Sequence, residues 1–194
     1  MSIRTTMLLW QPYQLLGNHM SIRPPKKIFQ AKRFAIEEVE EHLPDGTLLV
    51  RNIVRHPGAV VILPLVDNDL VCLIRTYRVS IDRWHLELPA GTLDKALSPL
   101  ETAHLELQEE TGYRAERMTH IHTLAMSPGI LDEKMHFYVA EGLRLGDSAR
   151  EAGEQMDNVI LPWSEIDSLF RNKKIADAKT IACLLWYMRY RKHA

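Results

Sequence analysis

Apolar and polar positions change period several times along this chain, and each change marks an element. Residues 59–65, Ala59-Val60-Val61-Ile62-Leu63-Pro64-Leu65, form an unbroken apolar run between the punctuation of His56-Pro57-Gly58 and Asp67-Asn68-Asp69. A short apolar run bounded by turn residues predicts a buried strand. Leu70 to Arg75 predicts a second strand after that turn, and Trp84 to Leu88 a third. Upstream, Ile28 to Val39 alternates as a strand does, although residues 31–41 also fit a helical period. Leu43-Pro44-Asp45-Gly46-Thr47 predicts a hairpin turn into a strand over Leu48 to Val54. Downstream, His120 to Met126, Met135 to Ala140 and Val159 to Leu161 predict strands, and Gly142 to Gly153 a polar loop. Ser164 to Asn172 and Asp177 to Arg191 predict helices.

A further helix is signalled between these β regions. Ser98-Pro99-Leu100-Glu101 reads as a capping box with Pro99 at the first helical position, and Gly112 as a stop. Leu100, Ala103 and Leu107 form its apolar stripe. Glu106, Glu109 and Glu110 then fall three and four apart on the other side. Like charges grouped on one face repel, a cost commonly accepted where a divalent cation neutralises them. The plain alternative is a solvated helix surface. The order of elements is mostly β, one helix, more β, then two helices, which predicts an α/β sandwich rather than a doubly wound parallel sheet.

Composition narrows the function. A chain of 194 residues suits one domain, or one domain with a small appendage. With 24 Lys and Arg against 25 Asp and Glu, and no basic block, nucleic acid is not an expected partner. The basic end Arg189-Tyr190-Arg191-Lys192-His193 reads as a favourable helix C-terminus. No apolar run reaches membrane-spanning length, and no signal peptide is read at the start, so no membrane role is expected. Cys72 and Cys183 sit in apolar stretches without metal-like spacing and read as core thiols in a reducing, cytoplasmic setting. Met-Ser-Ile-Arg occurs at both Met1 and Met20, so Met20 is an alternative start.

The frame around the acidic triplet carries a resemblance. Gly91 lies fifteen residues before Glu106 and Gly112 six residues after it, with Leu86-Glu87-Leu88-Pro89-Ala90 leading in. Gly91, Glu106, Leu107, Glu109, Glu110, Gly112 and Tyr113 fit the signature of Nudix hydrolases, which this segment resembles. Two charged positions depart: Leu97 stands where the family has Glu and Leu105 where it has Arg. Loss of both suggests a hydrophobic replacement of a charged brace, which can be energetically neutral.

Other segments are similar to the ADP-ribose pyrophosphatase branch, from about residue 26 to the C-terminus. They are Arg51 to Val61, Arg75-Thr76-Tyr77-Arg78, Glu87 to Gly91, Ser127-Pro128-Gly129 with Asp132-Glu133, and Ala178-Lys179-Thr180-Ile181. The resemblance implies an α/β/α sandwich with a mixed sheet and an N-terminal antiparallel β segment. It divides the chain into an extension (1–24), a dimerising β segment (25–57) and a hydrolase domain (58–194), and implies a homodimer.

By position, the resemblance assigns Mg²⁺ or Mn²⁺ to the Ala90 carbonyl, Glu106 and Glu110, with Glu109 sharing and Glu154 added from a loop. The general base is open among Glu151, Glu154 and Glu109. Substrate contacts are expected from Arg55, Arg75, Arg78, Glu87, Gly129 and Glu133. Arg75 and Arg78 read otherwise as surface residues, with Arg78 the better phosphate clamp. Glu87 reads either as a strand-edge charge or as a nucleoside contact. Trp84 reads as core, interface or a platform for adenine. The implied activity is metal-dependent hydrolysis of ADP-ribose or a related nucleotide sugar to AMP and a sugar phosphate. The alternatives are another sugar nucleotide such as GDP-mannose, or a fold kept for binding or regulation.

Overall fold

The computed structural model describes residues 23–67, 69–146 and 156–190. Its centre is a mixed sheet. Strand β4 (Ala59–Pro64) lies parallel to β10 (Lys134–Glu141), which is antiparallel to β9 (Arg117–Ala125) on its other side. The short β7 (Ala90–Thr92) closes the opposite edge against β4. A second sheet is antiparallel, with β5 (Leu70–Arg78) between β6 (Arg83–Glu87) and β12 (Met156–Pro162).

Side chains of alternate residues on a strand point to opposite faces, and the core divides accordingly. Val60 and Ile62 of β4, with Tyr138 and Ala140 of β10, pack against Ala103 and Leu107 of helix α1 (Pro99–Thr111). Val61, Leu63, Phe137 and Val139 point the other way. They meet Ile166 of α2 (Trp163–Arg171) and Cys183 and Leu184 of α3 (Ala178–Tyr190). The result is a layered α/β/α arrangement. All six residues of β4 are buried, which is why that run carries no alternation.

The N-terminal strands β1 (Lys26–Gln30), β2 (Ala35–His42) and β3 (Leu48–Arg55) form a separate antiparallel sheet. The helical alternative for residues 31–41 is not taken. Glu37 and Glu41 of β2 meet Arg55 and Arg51 across the strand pair, each at 2.8 Å, so cross-strand partners set the conformation. The expected strand over Ile28 to Val39 is split by a turn in which Ala31 N–H donates to Phe34 O. The hairpin at residues 43–47 forms as expected, with Gly46 at φ 85°. Within the expected polar loop after Gly142, β11 (Arg144–Leu145) pairs with β8 (Tyr113–Arg114). Strands of two residues are too short for any period to reveal.

Candidate active site

Helix α1 is set by its ends. Ser98 Oγ accepts from Glu101 N–H at 3.3 Å while Ser98 N–H donates to Glu101 Oε2 at 2.8 Å, completing the capping box. Gly112 ends the helix at φ 78°, a left-handed conformation that favours glycine, and its N–H donates to Gln108 O. With Ala103 and Leu107 held in the core, Glu106, Glu109 and Glu110 all face a cavity of about 580 Å³.

The loop before the helix meets this acidic face closely. Ala90 N–H donates to Glu110 Oε2 at 2.9 Å, and Glu110 is almost fully buried. The Glu106 side chain lies directly over Gly91. A Cβ added there would stand 2.0 Å from Glu106 Cδ, so a larger residue would make the Glu106 carboxylate shift. Lys95 Nζ stands 3.4 Å from Glu109 Oε2. The carboxylates of Glu106, Glu109 and Glu110 offer oxygens, the ligand type that hard divalent cations take. Among the described residues no three His, Cys, Asp or Glu side chains enclose a point.

Opposite the carboxylates stands a network from the other face of the sandwich. Arg78 at the end of β5 donates through Nε and Nη2 to Glu87 of β6, at 2.9 and 2.7 Å. Lys179, in the first turn of α3, donates to Glu87 Oε2 at 2.5 Å and meets Asp177 Oδ1 at 2.9 Å. Burial pushes the Glu87 carboxyl up, but hydrogen bonds from Arg78 and the charge of Lys179 outweigh it and hold the group at about 2. Pairing with Glu87 likewise raises the already basic Arg78 guanidinium. Thr180 Oγ1 accepts from Leu88 N–H at 2.8 Å and donates to Asp177 Oδ2 at 2.6 Å, tying α3 to the segment that leads to Ala90.

The expected site residues divide into those at the cavity and those away from it. Ala90, Glu106, Glu109, Glu110, Arg78 and Glu133 line it. Glu133 pairs there with His56 Nδ1 at 3.3 Å. Glu87, expected at a strand edge or at the nucleoside, is instead 2% exposed beneath Arg78. Arg55 is spent on Glu37 at 2.8 Å and Asp132 at 3.1 Å, outside the lining. Arg75 lies over the Trp84 ring at 4.6 Å. Gly129 sits in an exposed turn. Glu151 and Glu154 lie outside the described residues.

Leu97 is 38% exposed, and among the described residues neither Leu97 nor Leu105 belongs to the two apolar clusters. The capping box and the Lys95–Glu109 pair occupy that stretch instead. Lys95, Asp177 and Lys179 line the cavity without having been singled out individually as site residues. Each is one charge in an ordinary-looking segment; the only sequence signal was the resemblance of residues 178–181.

Fold and site together define a Nudix hydrolase. The NUDIX domain family model matches residues 54–184, and the chain belongs to that family. Members generally use divalent metals. The chain is 35% identical over 158 residues to a methanol dehydrogenase activator from Bacillus methanolicus, covering 80% of this chain and 85% of that protein. It is also 35% identical over 157 residues to an ADP-ribose pyrophosphatase from Bacillus subtilis, with the same shares covered. A crystal structure of an ADP compounds hydrolase superposes with a TM-score of 0.77 at 26% identity, covering 89% of this chain and 97% of the other. Among the described residues no helix is long and apolar enough to cross a membrane.

Proposed function

We propose that this chain hydrolyses the diphosphate bond of ADP-ribose or a closely related nucleoside diphosphate sugar, releasing AMP and a sugar phosphate. What carries this reading is one cavity with a carboxylate wall from α1 and the half-exposed Arg78 guanidinium facing it. A diphosphate held by a divalent cation needs both. The names of the Bacillus subtilis relative and of the superposed structure support ADP-containing substrates.

Glu106, Glu110 and the Ala90 carbonyl would hold Mg²⁺ or Mn²⁺, with Glu109 beside them. When bound, such a cation neutralises phosphate charge and acidifies the attacking water. Arg78 spends Nε and Nη2 on Glu87, which leaves Nη1 to donate to a phosphate oxygen. Glu151, Glu154 and Glu109 are the candidates to accept the water proton. Water adds to one phosphorus, the bridging P–O bond breaks, and the two phosphate products leave.

The functional unit is a cytoplasmic homodimer joined through the N-terminal segment, residues 25–57, while residues 1–24 are an extension. The sheet of that segment exposes Phe29 at 51% and Val50 at 57%, apolar surface that a second copy would cover.

The test is a panel of ADP-ribose, ADP-glucose, GDP-mannose and diadenosine compounds, incubated with Mg²⁺ and resolved by chromatography. AMP from ADP-ribose is the expected product. Turnover of none of them overturns the enzymatic reading, and preferential release of GMP moves the base assignment to guanine. Glu110→Gln is expected to abolish most turnover with the far-UV circular dichroism unchanged.

A further inference from the structure

Lys179 stands where a lysine is least expected. It is 8% exposed and lies in the first turn of α3, where the helix dipole disfavours a cation. Burial disfavours the charge as well. Two carboxylates compensate, Glu87 on β6 at 2.5 Å and Asp177 at 2.9 Å. Asp177 is itself fixed, accepting from both the N–H and the Oγ1 of Thr180. A hydrophobic or small residue at 179 would avoid all of these costs, so the stability of α3 does not explain the lysine.

The charges around Glu87 do explain it. Glu87 is buried and has two cationic partners, Arg78 and Lys179. Were Arg78 its sole partner, the guanidinium would be needed in full to compensate a buried anion. With Lys179 sharing that charge, Arg78 stays 42% exposed at the cavity and keeps Nη1 for another anion.

We propose that Lys179 is a positioning residue for diphosphate binding: by sharing the charge of buried Glu87, it leaves the Arg78 guanidinium available to an anionic substrate. It acts through Glu87 and Arg78 and need not touch the sugar or the base. The same turn of α3 fixes the chain entering the acidic loop, because Thr180 Oγ1 accepts from Leu88 N–H. This inference rests on the reading of the cavity as a diphosphate site.

The experiment measures kcat and KM for ADP-ribose with Mg²⁺, and the Kd for ADP-ribose by calorimetry in EDTA, where no turnover occurs. Lys179→Gln is expected to raise both KM and Kd about tenfold with kcat within about twofold, the pattern of a lost binding interaction. Lys179→Arg, which keeps the charge, is expected to bind as the parent does. In an Arg78→Gln background, Lys179→Gln is expected to have no further effect, because the partner it acts through is gone.

If Lys179→Gln does not fold, the pair Lys179→Met/Glu87→Gln removes buried charge and counter-charge together; it is expected to bind as the parent does, because no buried anion then claims Arg78, and a tenfold rise in its Kd would place Lys179 on the substrate itself and overturn the proposal. An unchanged Kd in folded Lys179→Gln, or equal effects with and without Arg78, overturns the proposal. Parent turnover with no effect of Lys179 refutes this inference and spares the hydrolase reading. Parent binding without turnover refutes the hydrolase reading and leaves the Kd comparison to decide this one. A parent that neither binds nor turns over ADP-ribose overturns both.

Discussion

Helix α1 reaches the cavity with three carboxylates from one and a half turns, whereas α3 reaches it with one lysine clamped between two carboxylates. The acidic wall is assembled locally. Helical spacing alone gathers Glu106, Glu109 and Glu110, and their mutual repulsion is a standing cost to the apo fold. The basic side is assembled from three distant elements, Arg78 on β5, Glu87 on β6 and Lys179 on α3, and its charges compensate one another. One wall gathers like charge on a single helix, while the other is already neutralised within the protein. The carboxylates at their centres should therefore respond oppositely to charge removal: Glu106 of α1 through activity, buried Glu87 through stability.

The strongest test of that contrast is Glu106→Gln. If Glu106 holds the metal as proposed, its loss removes several kcal/mol of transition-state stabilisation, about a thousandfold in kcat/KM. Stability without metal is expected to stay level or rise by about a degree in Tm, because a like charge is gone. Steady-state kinetics beside thermal unfolding in EDTA checks both. A large fall in Tm would mean that the acidic face is structural.

Glu87→Gln should behave the other way. It leaves Lys179 and Arg78 without their shared anion, and breaking a buried pair costs about 3–5 kcal/mol, roughly 10 °C in Tm for a chain of this size. The parent also carries a pH signature. Glu87 is held at about 2 against an ordinary 4.5, so its contribution is fully present above 4.5 and is lost as pH falls through about 2. The difference is worth about 3 kcal/mol. Denaturant titrations between pH 5 and pH 2 are expected to show that loss in the parent and not in Glu87→Gln. Identical acid slopes in the two proteins would refute the assignment.

Between these extremes lies the loop that joins the walls. Gly91→Ala would place a methyl where Glu106 now lies. The carboxylate must shift by about an ångström, a displacement that can cost up to about a hundredfold in rate. Elevated metal concentration is expected to recover part of the loss, because the ligand is moved rather than deleted. Parent-like kcat/KM for this variant would show that Glu106 relocates freely.

The same contrast explains what the sequence disclosed. Ser98, Gly112 and the three glutamates announce α1 because caps and helical spacing are local properties. The buried run at Ala59–Pro64 is equally plain, since a strand covered on both faces is apolar throughout. Lys179 and Asp177 were not visible as site residues, because nothing near them in the chain indicates that β5 and β6 will deliver Arg78 and Glu87 to that turn. The burial of Glu87 was hidden for the same reason: a charge at a strand end looks exposed until its distant cations are in place. Arg55 and Arg75 had partners of their own, Glu37 with Asp132 and the Trp84 ring, which spacing cannot reveal.

The smallest expected effect concerns how α1 begins. The family's charged brace is replaced by Leu97 and Leu105, neither of which enters the apolar clusters. The capping box at Ser98 therefore carries the loop-to-helix junction. Ser98→Ala removes the acceptor for Glu101 N–H and the side-chain partner of Glu101 Oε2, a change worth about 1 kcal/mol and about 2–4 °C in Tm. Activity is expected to stay within about twofold, because Glu110 is held independently by Ala90 N–H, and Ala103 and Leu107 keep α1 on the sheet. Calorimetry and kinetics on one preparation separate the two effects. If activity falls tenfold while Tm moves only slightly, the cap is setting the register of the acidic face, and the stability of α1 and the placement of its carboxylates are one property rather than two.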